Sequence, residues 1–173
     1  MIAVINATNR PQNLTLAVVQ ACAALLQERG IPHVVAGMDE LPERFLVTDG
    51  FGNRSAAVEQ LIQRVLVPAE KVVVVAPEYN GSFPGIFKAF IDAIEPALWQ
   101  GKKAALVGVA TGRAGNLRGL DHLTDVFHHL GVEVLSAKVP ISRVHALLDE
   151  QGQLKDAATQ AVLAKQLDKL LQF

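Results

Sequence analysis

Residues 71 to 92 read Lys-Val-Val-Val-Val-Ala-Pro-Glu-Tyr-Asn-Gly-Ser-Phe-Pro-Gly-Ile-Phe-Lys-Ala-Phe-Ile-Asp. Val72 to Ala76 is an apolar, mostly β-branched run with no alternation, the pattern of a strand covered on both faces in a parallel sheet. At Pro77 the composition turns to Pro, Gly, Asn and Ser. From Ile86 the apolar residues return with helical spacing, at Ile86, Phe87, Phe90, Ile91 and Ile94. In open α/β sheets ligands bind beyond the carboxyl ends of strands, which puts Pro77 to Gly85 where a ligand is expected. A plain strand-to-helix connection takes about two to six residues. This one is longer and holds Glu78, Tyr79 and Asn80 side by side.

The same alternation extends outward in both directions. Ile2 to Asn6 is expected as a first strand, Leu14 to Arg29 as a helix closed by Gly30, and His33 to Ala36 as a short second strand. Gly37 to Arg54 has no clear period, and Ser55 to Val67 is helical again. After the central strand come a fourth strand at Ala104 to Ala110, a helix at Leu117 to Leu130, a fifth strand at Val132 to Val139 and a last helix at Asp156 to Leu171. Five strands separated by helices imply parallel pairing with right-handed crossovers. The expected fold is α/β, a flavodoxin-like three-layer sandwich with a five-stranded parallel sheet in the order 2-1-3-4-5. No repeat or linker divides the chain, so residues 1–173 are expected to form a single domain.

Composition narrows the function. With 16 Lys and Arg against 17 Asp and Glu and no block of either sign, the electrostatic footprint of a nucleic-acid binder is missing. No apolar run approaches the ~20 residues of a membrane span, and the start lacks the pattern of a secretory signal. A cytoplasmic protein with a small-molecule ligand is expected, without nucleic-acid or membrane partners. The one cysteine, Cys22, lies between alanines on a helix and suits a core position. His122, His128 and His129 lack metal-ligand spacing and are expected on a helix surface or an interface.

Three loops should share the carboxyl edge of the sheet. The first, Ala7 to Thr15, brings Thr8, Arg10, Asn13 and Thr15 to a helix N-terminus. There, free N–H groups, the helix dipole and a guanidinium suit a phosphate dianion. Asn13 could equally serve as an N-cap and Arg10 as a solvated loop residue. Neither the dinucleotide glycine fingerprint nor a Walker loop occupies this position, so a terminal phosphate, as on a mononucleotide, is the better match. The third loop, Thr111 to Asn116, contains Gly112 and Gly115, which serve either close approach to a flat ligand or turn formation.

Pro77-Glu78-Tyr79-Asn80, Ser82, Pro84-Gly85 and Lys88 together resemble the P-E-Y-N-x-S-x-P-G-x-x-K signature of the NADPH-dependent FMN reductases, a flavodoxin-like family that includes bacterial quinone, azo and chromate reductases. The resemblance covers most of residues 2 to 135. It implies that Thr8, Arg10, Asn13, Leu14 and Thr15 hold the FMN phosphate. Pro77, Glu78, Tyr79, Asn80 and Gly81 would line the flavin ring, and Thr111 and Gly112 would approach its edge. The first loop departs from the family's Gly-Ser-x-Arg-x-x-Ser-x-Asn at Ala7, Asn13 and Leu14. Leu14 offers only backbone, and a weaker hold on FMN is expected.

The activity this implies is two-electron transfer from NADPH or NADH, through FMN, to a small acceptor such as a quinone, an azo compound or a metal ion. The flavin carries the redox chemistry, so no side chain is assigned a catalytic role. Two alternatives stay open: a flavodoxin-like electron carrier, and a binding or regulatory module that has lost efficient flavin binding. A homodimer or homotetramer is also expected, from the surplus of large apolar groups at Leu41 to Phe51, Phe87, Phe90 and Trp99.

Overall fold

The chain runs β1 (Ile2–Asn6), α1 (Thr15–Glu28), β2 (His33–Gly37), α2 (Phe45–Thr48), α3 (Ala56–Val65), β3 (Lys71–Pro77), α4 (Gly85–Asp92), α5 (Pro96–Trp99), β4 (Lys103–Val109), α6 (Leu117–His129), β5 (Glu133–Val134), β6 (Val139–Ile141) and α7 (Ala157–Gln172). The structure, a computed structural model, describes residues 1–50 and 53–173. Every strand pairing is parallel, in the order β2-β1-β3-β4-β5, with β6 also paired to β4. This is the flavodoxin-like order expected from the sequence.

Side chains alternate across the sheet and divide the core in two. Ala3, Ile5, Val72, Val74, Ala104 and Leu106 face α3, α4 and α6, meeting Leu61, Ile62, Phe87, Phe90, Leu120 and Phe127. Ile2, Val4, Val73, Val75, Ala105 and Val107 face α1 and α7, meeting Val18, Cys22, Leu26, Leu163 and Leu167. Val72 to Ala76 are fully buried, as the unbroken apolar run demands of a central strand.

Two expectations need correction. The fifth strand is not continuous over Val132 to Val139. Ala104 pairs with Val134 and Val107 with Val139, so this chain advances five residues while β4 advances three. The surplus loops out of the sheet at residues 135–138. Gln166, buried on α7, reaches into the gap and donates its amide to Leu106 O at 2.9 Å and Ala137 O at 2.7 Å. A side chain thereby supplies hydrogen bonds beside the break in the ladder.

The apolar surplus is the second correction. Phe87, Phe90 and Trp99 are buried within the chain, as is Phe45, because α4 and α5 fold their aromatic faces onto Phe127. They give no reason to expect an interface. Leu46 and Val47 on α2 are the exposed apolar pair of that segment, at 69% and 75%. Phe51 lies outside the described residues.

Lysines guard the amino edge of the sheet. Lys71 Nζ donates to Leu170 O and Leu171 O near the end of α7, at 2.8 and 2.9 Å. Lys102 Nζ donates to Leu66 O, just past α3, at 2.8 Å. Each cation meets carbonyls at the negative end of a helix.

Candidate functional site

At the opposite edge, the loops after β1, β3 and β4 enclose a cleft of about 300 Å³, lined by residues 10–15, 77–79, 109–111 and Val144. Eight of the expected residues line it: Arg10, Asn13, Leu14, Thr15, Pro77, Glu78, Tyr79 and Thr111. Thr8 is buried behind them, 2.8 Å from the Tyr79 hydroxyl through its own. Asn80, Gly81 and Gly112 lie outside the lining.

In the first loop, Asn13 takes the capping role. Its Oδ1 accepts from Leu16 N–H at 3.0 Å and from Asn6 Nδ2 at 3.2 Å, and its Nδ2 donates to Arg10 O at 2.8 Å. The amide therefore ties the loop to itself and starts α1. Thr8 Oγ1 accepts from Arg10 N–H at 3.2 Å, which pins the backbone carrying the exposed Arg10 side chain. The first turn of α1, whose N–H groups have no acceptor within the helix, opens on the cleft beside Thr15 and Arg10.

The second loop is a tight hairpin. Tyr79 and Ser82 exchange backbone hydrogen bonds at 2.8 and 3.1 Å, and Asn80 and Gly81 between them both have positive φ, 51° and 75°. An Asn-Gly pair is the preferred sequence for such a turn. These two residues thus shape the hairpin rather than line the cleft, while Glu78 N–H is fixed to Val109 O at 2.9 Å. Ser82 Oγ lies 3.0 Å from Nδ1 of His122, which is exposed on α6 like His128 and His129.

The third loop crosses β4 closely. A Cβ on Gly108 would sit 2.2 Å from Gly115 O, so only glycine admits the crossing. Asn116, buried with φ 65°, donates Nδ2 to Ala76 O at 3.0 Å and Pro77 O at 3.1 Å. It fastens the start of α6 to the end of β3. Beside Gly112 there is open space, with no atom within 4 Å of an added Cβ. A further segment joins here: Val144 N–H donates to Ala110 O at 3.1 Å and Arg143 N–H to Gly112 O at 3.0 Å. Pro11, Gln12, Val109, Ala110 and Val144 are lining residues that sequence reasoning did not single out. Pro11 and Gln12 lie inside the first loop and Val109 and Ala110 at the end of the expected fourth strand, whereas Val144 lies in a tail with no recognisable motif.

A parallel sheet in the 2-1-3-4-5 order, with its cleft over the carboxyl ends of β1, β3 and β4, makes this a flavodoxin-like protein. The family profile of the NADPH-dependent FMN reductases matches residues 1–146, and the chain belongs to that enzyme family. It is 34% identical over 118 residues to an NAD(P)H-dependent FMN reductase of Pseudomonas aeruginosa, covering 66% of this chain and 63% of that protein. To a 2-hydroxy-1,4-benzoquinone reductase of a Burkholderia species it is 27% identical over 117 residues, covering 65% and 64%. The chain thus spans a little under two thirds of these curated relatives. Among solved structures, FerB, a flavoenzyme NAD(P)H:(acceptor) oxidoreductase from Paracoccus denitrificans, shares the fold with a TM-score of 0.77 at 22% identity, covering 99% of this chain and 94% of that one.

The donor set fits FMN. A guanidinium, a helix N-terminus and a threonine hydroxyl at one wall suit its phosphate. Pro77, Glu78 and Tyr79 at another wall offer apolar surface and fixed backbone to a flat ring.

Proposed function

We propose that this chain binds FMN in the cleft and acts as an NAD(P)H-dependent oxidoreductase that delivers two electrons to a small acceptor, a quinone first among them. The observation that carries the reading is the joining of three loops, each expected to touch the flavin, into one cleft at the N-terminus of α1. The quinone assignment is supported by the likeness to a benzoquinone reductase.

When bound, FMN supplies the redox chemistry. The chain's own residues bind and orient. Arg10 and the first-turn N–H groups of α1 hold the phosphate, with Asn13 setting their geometry rather than contacting the ligand. Thr8 fixes the Tyr79 hydroxyl, which locks the ring of Tyr79 as a wall of the cleft. Glu78, held to Val109 by its N–H, keeps the second loop at a constant height above the sheet. The open space beside Gly112 is the entrance proposed for nicotinamide and acceptor in turn.

The protein is proposed to work as one domain over residues 1–173 and in the cytoplasm, where nicotinamide coenzymes are regenerated. Assembly into a homodimer or homotetramer is proposed through the exposed Leu46 and Val47. Among the described residues no helix is long and apolar enough to cross a membrane.

The test is anaerobic. Protein saturated with FMN should lose its yellow absorbance on addition of NADPH or NADH and regain it when a quinone follows. Retained colour with both nucleotides would favour the electron-carrier reading, and a protein that takes up no FMN would favour the binding module.

A further inference from the structure

We infer that the Tyr79 hydroxyl donates a hydrogen bond to the phosphate of the bound ligand, so that this residue distinguishes FMN from riboflavin. This rests on the FMN reading above and deepens it, because ring contact alone was expected of Tyr79.

The inference comes from counting hydrogens. A hydroxyl has one hydrogen to donate and two lone pairs with which to accept. Thr8 Oγ1 accepts from Arg10 N–H at 3.2 Å and lies 2.8 Å from Tyr79 Oη. Among the described residues the Thr8 hydroxyl has no further partner, and Tyr79 Oη has none besides Thr8. One of the two hydroxyl hydrogens makes the bond between them. The other has no acceptor in the protein.

Burial decides which hydrogen that is. Thr8 is 0% exposed and stands behind the cleft lining, whereas Tyr79 is partly exposed and lines the cleft. A free hydrogen on Thr8 would be sealed off from protein, solvent and ligand alike, and a buried donor left without an acceptor is costly. Thr8 therefore donates and Tyr79 Oη accepts. The phenol hydrogen is left to turn into the cleft. Accepting from Thr8 also polarises the phenol and strengthens its own donation.

Position decides what it meets. Tyr79 Oη is no farther from Arg10 N than two hydrogen bonds, of 2.8 and 3.2 Å, laid end to end. The backbone of Tyr79 belongs to the second loop, but its hydroxyl stands at the first, where Arg10, Asn13 and Thr15 line the cleft. Asn13 uses its amide within that loop and to start α1. Tyr79 supplies the neutral donor that Asn13 withholds. An acceptor placed between a guanidinium, a helix N-terminus and a polarised O–H is an anion, and a phosphate monoester has the oxygens to meet all three. One side chain thereby touches both ends of the ligand, its ring facing the flavin and its hydroxyl the phosphate.

The experiment titrates wild type and Tyr79→Phe with FMN and with riboflavin by calorimetry. Wild type should prefer FMN, and Tyr79→Phe should bind FMN about tenfold or more weakly while its affinity for riboflavin stays within about twofold. Because Tyr79 is the single tyrosine of the chain, protein labelled isotopically at tyrosine Cζ gives one NMR signal that reports on this hydroxyl. In wild type that signal should move farther with FMN than with riboflavin, which has the same ring and lacks the phosphate. No loss for FMN, equal losses for the two flavins or equal movement of the signal overturns the assignment. The hydroxyl would then tie two loops together or meet the ribityl chain that both flavins share. Wild type that takes up neither flavin overturns the FMN reading, and the assignment with it. Should Tyr79→Phe fail to fold, the NMR comparison in wild type decides alone.

Discussion

Asn116→Ala should both destabilise the protein and weaken its hold on FMN. The side chain donates two buried hydrogen bonds to Ala76 O and Pro77 O. At about 0.5–1.5 kcal/mol net for each, their loss costs about 1–3 kcal/mol. The backbone adds to this, because Asn116 has φ 65°, where alanine pays roughly 1 kcal/mol more than asparagine. Relief of the unpaired Oδ1 offsets part of this loss, by about 1 kcal/mol, which leaves a total of about 1–3 kcal/mol. Asn116→Gly removes the same hydrogen bonds without the backbone penalty and should be the more stable variant by about 1 kcal/mol. Urea unfolding of the three proteins measures both quantities. FMN titration should show weaker binding in both variants, since Pro77 begins the stretch that lines the cleft. A loss under 1 kcal/mol for Asn116→Ala, or unchanged FMN affinity in a clearly destabilised variant, would refute the view that this amide sets the height of the second loop.

Arg10→Ala should weaken FMN binding by roughly tenfold to a hundredfold, the worth of a charge-assisted contact, and leave riboflavin binding unchanged when the two are titrated side by side. Gln166→Leu strips one buried and one partly buried carbonyl of a donor and should cost about 1–3 kcal/mol in chemical denaturation. Burial pushes the Cys22 thiol up to about 12, so a disulfide reagent at pH 8 should label it only after denaturant is added. Asp156 accepts from Thr159 Oγ1 and N–H at the start of α7, and Asp49 accepts from Ser55 N–H and Thr48 Oγ1. Hydrogen bonding with these residues holds both carboxyls below their ordinary range. A depressed carboxyl contributes stability above its unfolded value and loses it as pH falls through the folded one. Tm should therefore drop on acidification below about pH 4, and less steeply in Asp156→Asn.

The sheet was legible because its signals are local. Val72 to Ala76 suits a doubly covered strand, and five strand-like runs separated by helical periods leave few topologies. The break in the fifth strand was not legible. Val132, Val134 and Leu135 keep an apolar pattern up to the point where two surplus residues must leave the sheet, and the Gln166 that makes this tolerable lies on a distant helix. Large aromatic residues misled for a related reason: spacing shows that Phe87, Phe90 and Trp99 form an apolar face, but only the fold shows that Phe127 covers it. At the site, residue types named the loops that enclose the cleft, yet their division of labour is a matter of geometry. Asn13 caps, Asn80 and Gly81 turn, and Asn116, marked only as the end of a loop, fastens two elements together.

The lysines at the amino edge of the sheet make the molecule electrically lopsided. By quieting the negative ends of α3 and α7, they leave the positive end of α1 and Arg10, set against the single carboxylate of Glu78, to shape the field at the cleft. A formal charge of −1 conceals this, because net charge is a sum and an approaching ligand feels a local potential. Phosphorylated ligands should be drawn to the cleft from beyond contact distance, by a pull that reaches about 10 Å in dilute buffer and shrinks as salt is added. On the proposed reading, flavin capture would be a matter of ionic atmosphere as much as of fit.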